Sequence, residues 1–326
     1  MKAVQFTRFG PPEVLEIVEV PTPEPEGSEV LVRIHAAGIN FFEVLMRADR
    51  YAVTPPLPAF PGVEVAGVVE RLGPDADPSL QGARVTVPLF AIGRGFGGYA
   101  EFVAVNSGSV VRLPENLSFA DATALMVQGL TALNMVRRSP PKGKVVLINA
   151  AGGGVGSLLV QLARLEGASM VIAAAGSDDK RKLAISLGAD MAVDYTGENW
   201  TASVRAATAG QGADVIYETV GGDIARTSLT ALAPAGEMLL AAMGRFSFEL
   251  SEIRSMLDAN QSLKGFSLLP LISGGRWRDD LAALFDLAAS GALRIVHGGS
   301  FSLSQAAEAH RALEERRVGG KVVLVP

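Results

Sequence analysis

At 326 residues, with 48% apolar residues, 19% charged residues and a net charge of −5, the chain is long enough for two hydrophobic cores. Its acidic balance offers no general attraction for nucleic acid or anionic membrane, which need clustered Lys and Arg. The absence of cysteine excludes disulfides, thiolate nucleophiles and cysteine-ligated zinc, and three histidines, His35, His297 and His310, leave little for a histidine-rich metal site.

The opening MKAVQFTRFGPPEV lacks the apolar core and small-residue cleavage site of a signal peptide, so a cytoplasmic protein is expected. The first 115 or so residues are rich in Pro, Gly and short β-branched runs such as EVLVRIHAAGI, VEVAGVVERLG, ARVTVPLF and GYAEFVAV. They read as a mostly antiparallel β domain, with PTPEPEGSE as a solvated turn. At NLSFADATALMVQGL the texture changes, and Ser118 three residues before Asp121 marks a helix start.

From Gly143 to Lys264 strand and helix patterns alternate, beginning with KVVLINA and VGSLLVQLARLEG and ending with EMLLAAM. The strands are continuous apolar runs, as expected of a parallel sheet covered on both faces. Residues 120–264 are therefore assigned to a doubly wound α/β domain, and residues 1–119 with 265–326 to the β domain, to which the final helix and strand return. The apolar window Val145–Ala163 contains Asn149, Gln161 and four glycines, so a strand, turn and helix explain it better than a membrane span. RFSFEL, residues 245–250, alternates strictly and is expected to form an edge strand.

The turn after KVVLINA reads Ala151-x-Gly153-x-x-Gly156, a G-x-G-x-x-G pattern with Ala in the first place. Between a strand and a helix such a turn suits a dinucleotide pyrophosphate: Gly153 allows close backbone approach and Gly156 close helix packing, with Gly154 and Val155 between them. The second strand ends in Ala174-Ala175-Gly176-Ser177 without a carboxylate for the ribose, and Asp178-Asp179-Lys180-Arg181 follows. A cation there can pair with a 2′-phosphate, which favours NADPH over NADH. The competing reading is that the two acids cap the next helix and the two bases are solvated.

Taken together, AAGIN at Ala36–Asn40, PGVEVAGVV at Pro61–Val69, GGYAEFV at Gly97–Val103, GLTAL at Gly129–Leu133, AAGGGVG at Ala150–Gly156, LGAD at Leu187–Asp190 and the closing AAEAHR…GGKVVL resemble one family. It is the zinc-independent quinone oxidoreductases of the medium-chain dehydrogenase/reductase superfamily, which include the zeta-crystallins, and the resemblance covers nearly the whole chain. It implies a GroES-like, mostly β catalytic domain and a Rossmann cofactor domain. Zinc-dependent relatives place a cysteine where Asn40 stands and a histidine where Val63 stands, so the resemblance implies no metal site and leaves Glu64 as a structural relic. It further implies that Ser177, Lys180 and Tyr195 contact the 2′-phosphate of NADPH, and that Asn40, Tyr51 and Thr131 surround the nicotinamide and substrate. A lysine common before the GLT motif is Gln128 here.

Hydride transfer without zinc needs an acceptor that is already polarised, such as a quinone or an enone, with donors to stabilise the oxyanion. Tyr51, protonated at neutral pH, and the Asn40 amide are the candidate catalytic residues. Each also has a plainer reading: Tyr51 as a loop aromatic on prolines, Asn40 as a turn residue, Thr131 as a helical residue bonded to its own backbone. PPLPAF and LFAIGRGFGG are expected to shape an apolar pocket for a small hydrophobic substrate. The family also implies a homodimer. The rival readings are an enoyl-thioester reductase, for which Arg47 and Arg94 are the available bases at the pocket mouth, and a crystallin-like cofactor-binding protein with little turnover.

Overall fold

The computed structural model describes residues 1–93, 96–241 and 247–326. The chain forms two compact units, Met1–Leu130 with Ile272–Pro326 and Thr131–Leu271. The change of texture along the sequence puts these junctions at 119/120 and 264/265 instead. The strands are, in chain order, β1 (Lys2–Gln5), β2 (Glu16–Glu19), β3 (Glu29–Ile39), β4 (Val65–Leu72), β5 (Arg84–Val87), β6 (Phe102–Asn106), β7 (Val111–Arg112), β8 (Val145–Asn149), β9 (Met170–Ala174), β10 (Met191–Val193), β11 (Ala213–Glu218), β12 (Leu232–Leu240), β13 (Ser262–Gly265), β14 (His297–Ser302) and β15 (Lys321–Val325).

In the first unit the main sheet runs β14-β15-β3-β4-β5-β7, with β6 also on β3. Pairing is antiparallel except between β14 and β15. β3 is the organising strand: its first half pairs with β6, its last residues with β15, and its other edge with β4. Val30, Val32 and Ile34 alternate into the core with Val65, Val85, Val103 and Leu324, the period-two signature of one buried sheet face. Val322 opposite Ile39 sets Lys321 beside Asn40 where β3 ends. The closing strand thus joins the N-terminal sheet.

The second unit is a parallel sheet in the order β10-β9-β8-β11-β12-β13. Val146, Leu147 and Ile148 of β8 and Val215, Ile216 and Tyr217 of β11 have no exposed surface, as doubly covered strands require. The chain winds outward one way from β8 and the other way from β11. The topological switch point therefore lies at the carboxyl ends of β8 and β11, where open α/β sheets bind their ligands.

The expected edge strand at 245–250 requires correction. Arg245 and Phe246 lie outside the described residues, Ser247–Glu249 are not strand, and Leu250 opens the helix Leu250–Asp258. Glu249 caps that helix and Glu252 returns a hydrogen bond to its backbone N–H at 2.6 Å, a reciprocal cap that outweighs three alternating apolar residues. Among the described residues, no helix is long and apolar enough to cross a membrane.

Candidate active site

The glycine turn is built from the end of β8. Ala150 adopts φ +52°, Gly153 donates to its carbonyl at 2.8 Å, and Gly153 then caps the helix Gly154–Leu165. Gly154, Val155 and Gly156 fill the first turn, where backbone N–H groups have no acceptor within the helix. A Cβ at Gly156 would overlap the Ala150 carbonyl, so only glycine closes this turn. Beside it, buried Glu218 accepts from the amides of Val220 and Gly221 and from Asn149 Nδ2, which joins the turns after β8 and β11.

Two side chains cover this region. A Cβ on Gly152 would stand 2.6 Å from Lys180 Cβ, and one on Gly176 would stand 3.1 Å from Tyr195 Cε2, so Lys180 lies over the glycine turn and Tyr195 over the end of β9. Ser177 caps the helix Asp178–Ser186, accepting from Lys180 N at 3.4 Å. Asp178 pairs with Lys182 at 2.6 Å, while Arg181 binds Asp194 at 2.9 Å. The structure therefore gathers Gly153, Gly154, Val155, Gly156, Ser177, Lys180 and Tyr195 at one place, with Asp178 and Asp194 paired to Lys182 and Arg181 beside them. Thr131 comes from a different element, half-buried in the first turn of the helix Leu130–Arg138.

Asn40 and Tyr51 belong to the first unit. Asn40 precedes the helix Phe41–Arg47 and is buried, with both amide hydrogens engaged: Nδ2 donates to Glu64 Oε1 at 2.8 Å and to Glu43 Oε2 at 3.2 Å. Its Oδ1 accepts from Lys321 Nζ at 3.0 Å, and Lys321 also pairs with Glu64. The other oxygen of Glu64 accepts from Val127 N at 2.7 Å, within the π-turn Leu125–Gly129 that carries Gln128. Glu43 accepts from the amides of Asn40 at 2.8 Å and Gly62 at 3.0 Å. Glu64, expected to be a relic, is the hub of this cluster.

The cluster continues inward. The Tyr99 hydroxyl bonds Glu43 and lies 3.2 Å from His310 Nε2. Burial and the adjacent Glu64 push the Glu43 carboxyl up to about 7 against the pull of its donors and of Lys321, and burial with nearby Arg47 lowers His310 to about 3. Sequence reasoning passed over Glu43, Tyr99 and Lys321 and gave His310 no role. The available signals were Asn40-x-x-Glu43, a capping pattern, and a lone lysine opening the apolar run KVVLV.

Phe6, Met46, Pro55, Ala59, Pro61 and Phe96, with Glu43, line a cavity of about 10 Å³, room for about one water, where residues of PPLPAF meet Phe96 of LFAIGRGFGG. Tyr51 is half-buried, its ring 5.5 Å from that of Phe42. Arg47, expected at a pocket mouth, is instead 1% exposed and bonded to Glu314 at 2.8 Å, because it closes a buried helix end against the helix Ala306–Glu314. Arg94 lies outside the described residues.

A GroES-like β unit together with a six-stranded parallel sheet that turns on glycines after its first strand defines a medium-chain dehydrogenase/reductase. Family models for an alcohol dehydrogenase GroES-like domain and a zinc-binding dehydrogenase match residues 26–115 and 187–324. The chain is 35% identical to the quinone oxidoreductase of Pseudomonas aeruginosa, over 100% of this chain and 99% of that protein. It superposes on Escherichia coli quinone oxidoreductase complexed with NADPH with a TM-score of 0.89 at 27% identity, and on an NAD-dependent alcohol dehydrogenase with 0.88 at 34% identity, each covering 100% of both chains. The chain belongs to the zinc-independent, quinone-oxidoreductase-like family of these enzymes. The residues here do not fit the zinc of the metal-dependent members: Val63 offers no donor atom, and Lys321 already brings a positive charge to Asn40 and Glu64. Among the described residues no group of three His, Cys, Asp or Glu side chains is placed to hold a metal.

The two shifted groups pull stability in opposite directions. Glu43 holds a proton in the folded state between about 4.5 and 7 that the unfolded chain has lost, so its contribution falls as pH rises through that window. His310 refuses a proton that the unfolded chain takes between about 6.5 and 3, so its contribution falls as pH drops. Equilibrium urea unfolding at several pH values should show the stability gap between wild type and His310→Phe, and that between wild type and Glu43→Gln, changing with opposite signs. Each slope should approach about 1.4 kcal/mol per pH unit; parallel curves would refute the assignment.

Proposed function

We propose that the protein is an NADPH-dependent, zinc-independent oxidoreductase that reduces quinones or other α,β-unsaturated carbonyl compounds. The observation that carries this reading is Lys180 laid over Gly152 of the phosphate-type turn, with Ser177 and Tyr195 beside it. NADPH, when bound, supplies a hydride. Gly153 lets the pyrophosphate approach closely and the first-turn amides of Gly154, Val155 and Gly156 hold it; Ser177, Lys180 and Tyr195 take the 2′-phosphate; Thr131 lies along the nicotinamide. Tyr51 donates a hydrogen bond to the acceptor oxygen as negative charge develops there. Asn40, with both amide hydrogens engaged by carboxylates, acts by holding the helix start and Glu43 in place.

The substrate is a small, uncharged, hydrophobic carbonyl or quinone, in keeping with the apolar pocket wall. The enoyl-thioester alternative loses the support of Arg47, which is buried and paired. The protein acts in the cytoplasm as a homodimer. Leu250 and Leu257, seven residues apart on one helix face and 69% and 71% exposed, suit a contact with a second copy, and light scattering at micromolar concentration should return twice the chain mass.

Turnover with NADPH and NADH across a benzoquinone, an enal, an enone and an enoyl thioester tests the whole reading. Lys180→Ala should raise the KM for NADPH about ten- to a hundredfold, the worth of a charge-assisted hydrogen bond, and leave that for NADH unchanged. Equal use of both cofactors by the wild type would remove the role of Lys180. Tyr51→Phe should lower kcat about a hundredfold without changing the NADPH dissociation constant. An unchanged kcat would return Tyr51 to a packing role.

A further inference from the structure

The turn that carries Tyr195 is held by the residue before it. Asp194 Oδ1 accepts from Thr196 N at 2.9 Å and from the Thr196 hydroxyl at 2.6 Å, and Gly197 N closes the turn on the Asp194 carbonyl at 3.2 Å. These donors, the Thr196 hydroxyl first, hold the Asp194 carboxyl below the usual carboxylate range, so it is ionised at neutral pH. The packing under the turn is tight: a Cβ on Gly176 would stand 3.1 Å from both Thr196 Cγ2 and Tyr195 Cε2. The other oxygen of Asp194 is taken by Arg181. Arg181 Nη1 lies 2.9 Å from Asp194 Oδ2 and donates to the Ala175 carbonyl at 3.3 Å, while Nη2 stands 3.8 Å from Asp178 Oδ1. One guanidinium therefore spans the end of β9, the start of the helix Asp178–Ser186 and the turn after β10, a reach that uses the forked head of arginine. Its side chain is 22% exposed against 73% for Lys182, so Arg181 is embedded in the turn rather than solvated beside it.

The charges around Ser177 balance. Asp178, Asp179 and Asp194 stand against Lys180, Arg181 and Lys182. A phosphate monoester brings a charge of about −1.5 to −2 at neutral pH, so this region accepts one only while its own acids are neutralised. Asp194 is the critical acid, because it adjoins Tyr195 in the chain and its partner Arg181 adjoins Lys180, two of the residues assigned to that phosphate. Resting on the NADPH reading above, we propose that Arg181 is a specificity-determining residue that acts through Asp194 rather than by contact with the cofactor. By neutralising Asp194 and tying its turn to the end of β9, it makes the place beside Tyr195 acceptable to a 2′-phosphate. Without the guanidinium, the Asp194 carboxylate opposes a like charge on NADPH. NADH, whose 2′-hydroxyl is neutral, meets no such repulsion.

Dissociation constants of the full chain for NADPH and NADH, read by nucleotide fluorescence, test this. Arg181→Met should weaken NADPH about tenfold and NADH less than about twofold, because the unpaired carboxylate repels only the nucleotide with the extra charge. At about 0.5 M salt the loss for NADPH should shrink several-fold, as screening of exposed charges requires. Asp194→Asn removes the charge and keeps the oxygen that Thr196 uses. Alone it should tighten NADPH about threefold, and in the Arg181→Met background it should return the affinity to within about threefold of wild type. An arginine with a merely structural role would weaken both nucleotides in parallel, independently of salt and without rescue by Asp194→Asn, and any of these results overturns the proposal. If Arg181→Met does not fold, Asp194→Asn alone decides, and NADPH binding no tighter than in wild type overturns the proposal. A wild type that binds NADH as tightly as NADPH sinks the NADPH reading and this role with it, whereas an Arg181→Met variant that keeps a wild-type preference for NADPH sinks the role of Arg181 alone.

Discussion

Two opposite charges without access to water, Glu64 and Lys321, hold the first unit together at its most demanding point. Such a pair adds little net stability, because removing two ions from water costs about what their attraction returns, but losing one partner costs about 3–5 kcal/mol. Its effect is therefore to specify geometry. Through Asn40 and Val127 the pair ties together the end of β15, the start of β4, the entry of the helix Phe41–Arg47 and the π-turn Leu125–Gly129. The glycine of AAGIN belongs to the same constraint, since a Cβ on Gly38 would stand 2.6 Å from Lys321 Cε. A motif that reads as a turn signature is in fact the space kept open for a buried lysine.

The second unit depends on a backbone constraint. Ala150 holds a left-handed conformation that L side chains rarely adopt, and Gly156 leaves room for the Ala150 carbonyl where any Cβ would overlap it. Buried Glu218 steadies the facing turn by taking two of its amides, and Asn149 bridges the two strands. Strain on one side of the switch point is thus supported by hydrogen bonds on the other. The result is a first helical turn whose amides have no acceptor within the helix, and a lysine laid across its approach.

What could be read from the sequence follows from the range of the forces involved. Continuous apolar runs and glycine turns are local, and they revealed the parallel sheet, its first turn and the return of the last strand. The cap at Ser118 was legible for the same reason, with its hydroxyl 3.0 Å from Asp121 N. RFSFEL misled because alternation over a few residues competes with a reciprocal cap that begins at Glu249. The buried cluster was invisible because Lys321 meets Asn40 across 281 positions and His310 meets Tyr99 across 211. Glu64 looked like a relic because its partner is a lysine from the far end of the chain, and Arg47 looked like a surface base until its helix was seen to end against another.

The same cluster sets the chemistry the site can perform. In metal-dependent relatives a Lewis acid polarises an unactivated alcohol or carbonyl. Beside Asn40 and Glu64 here stands the buried Lys321 ammonium, which donates to both. Hydride transfer at such a site succeeds only with an acceptor whose own conjugation makes it electrophilic, and the protein's share is reduced to orientation, a donor to the developing oxyanion and a proton.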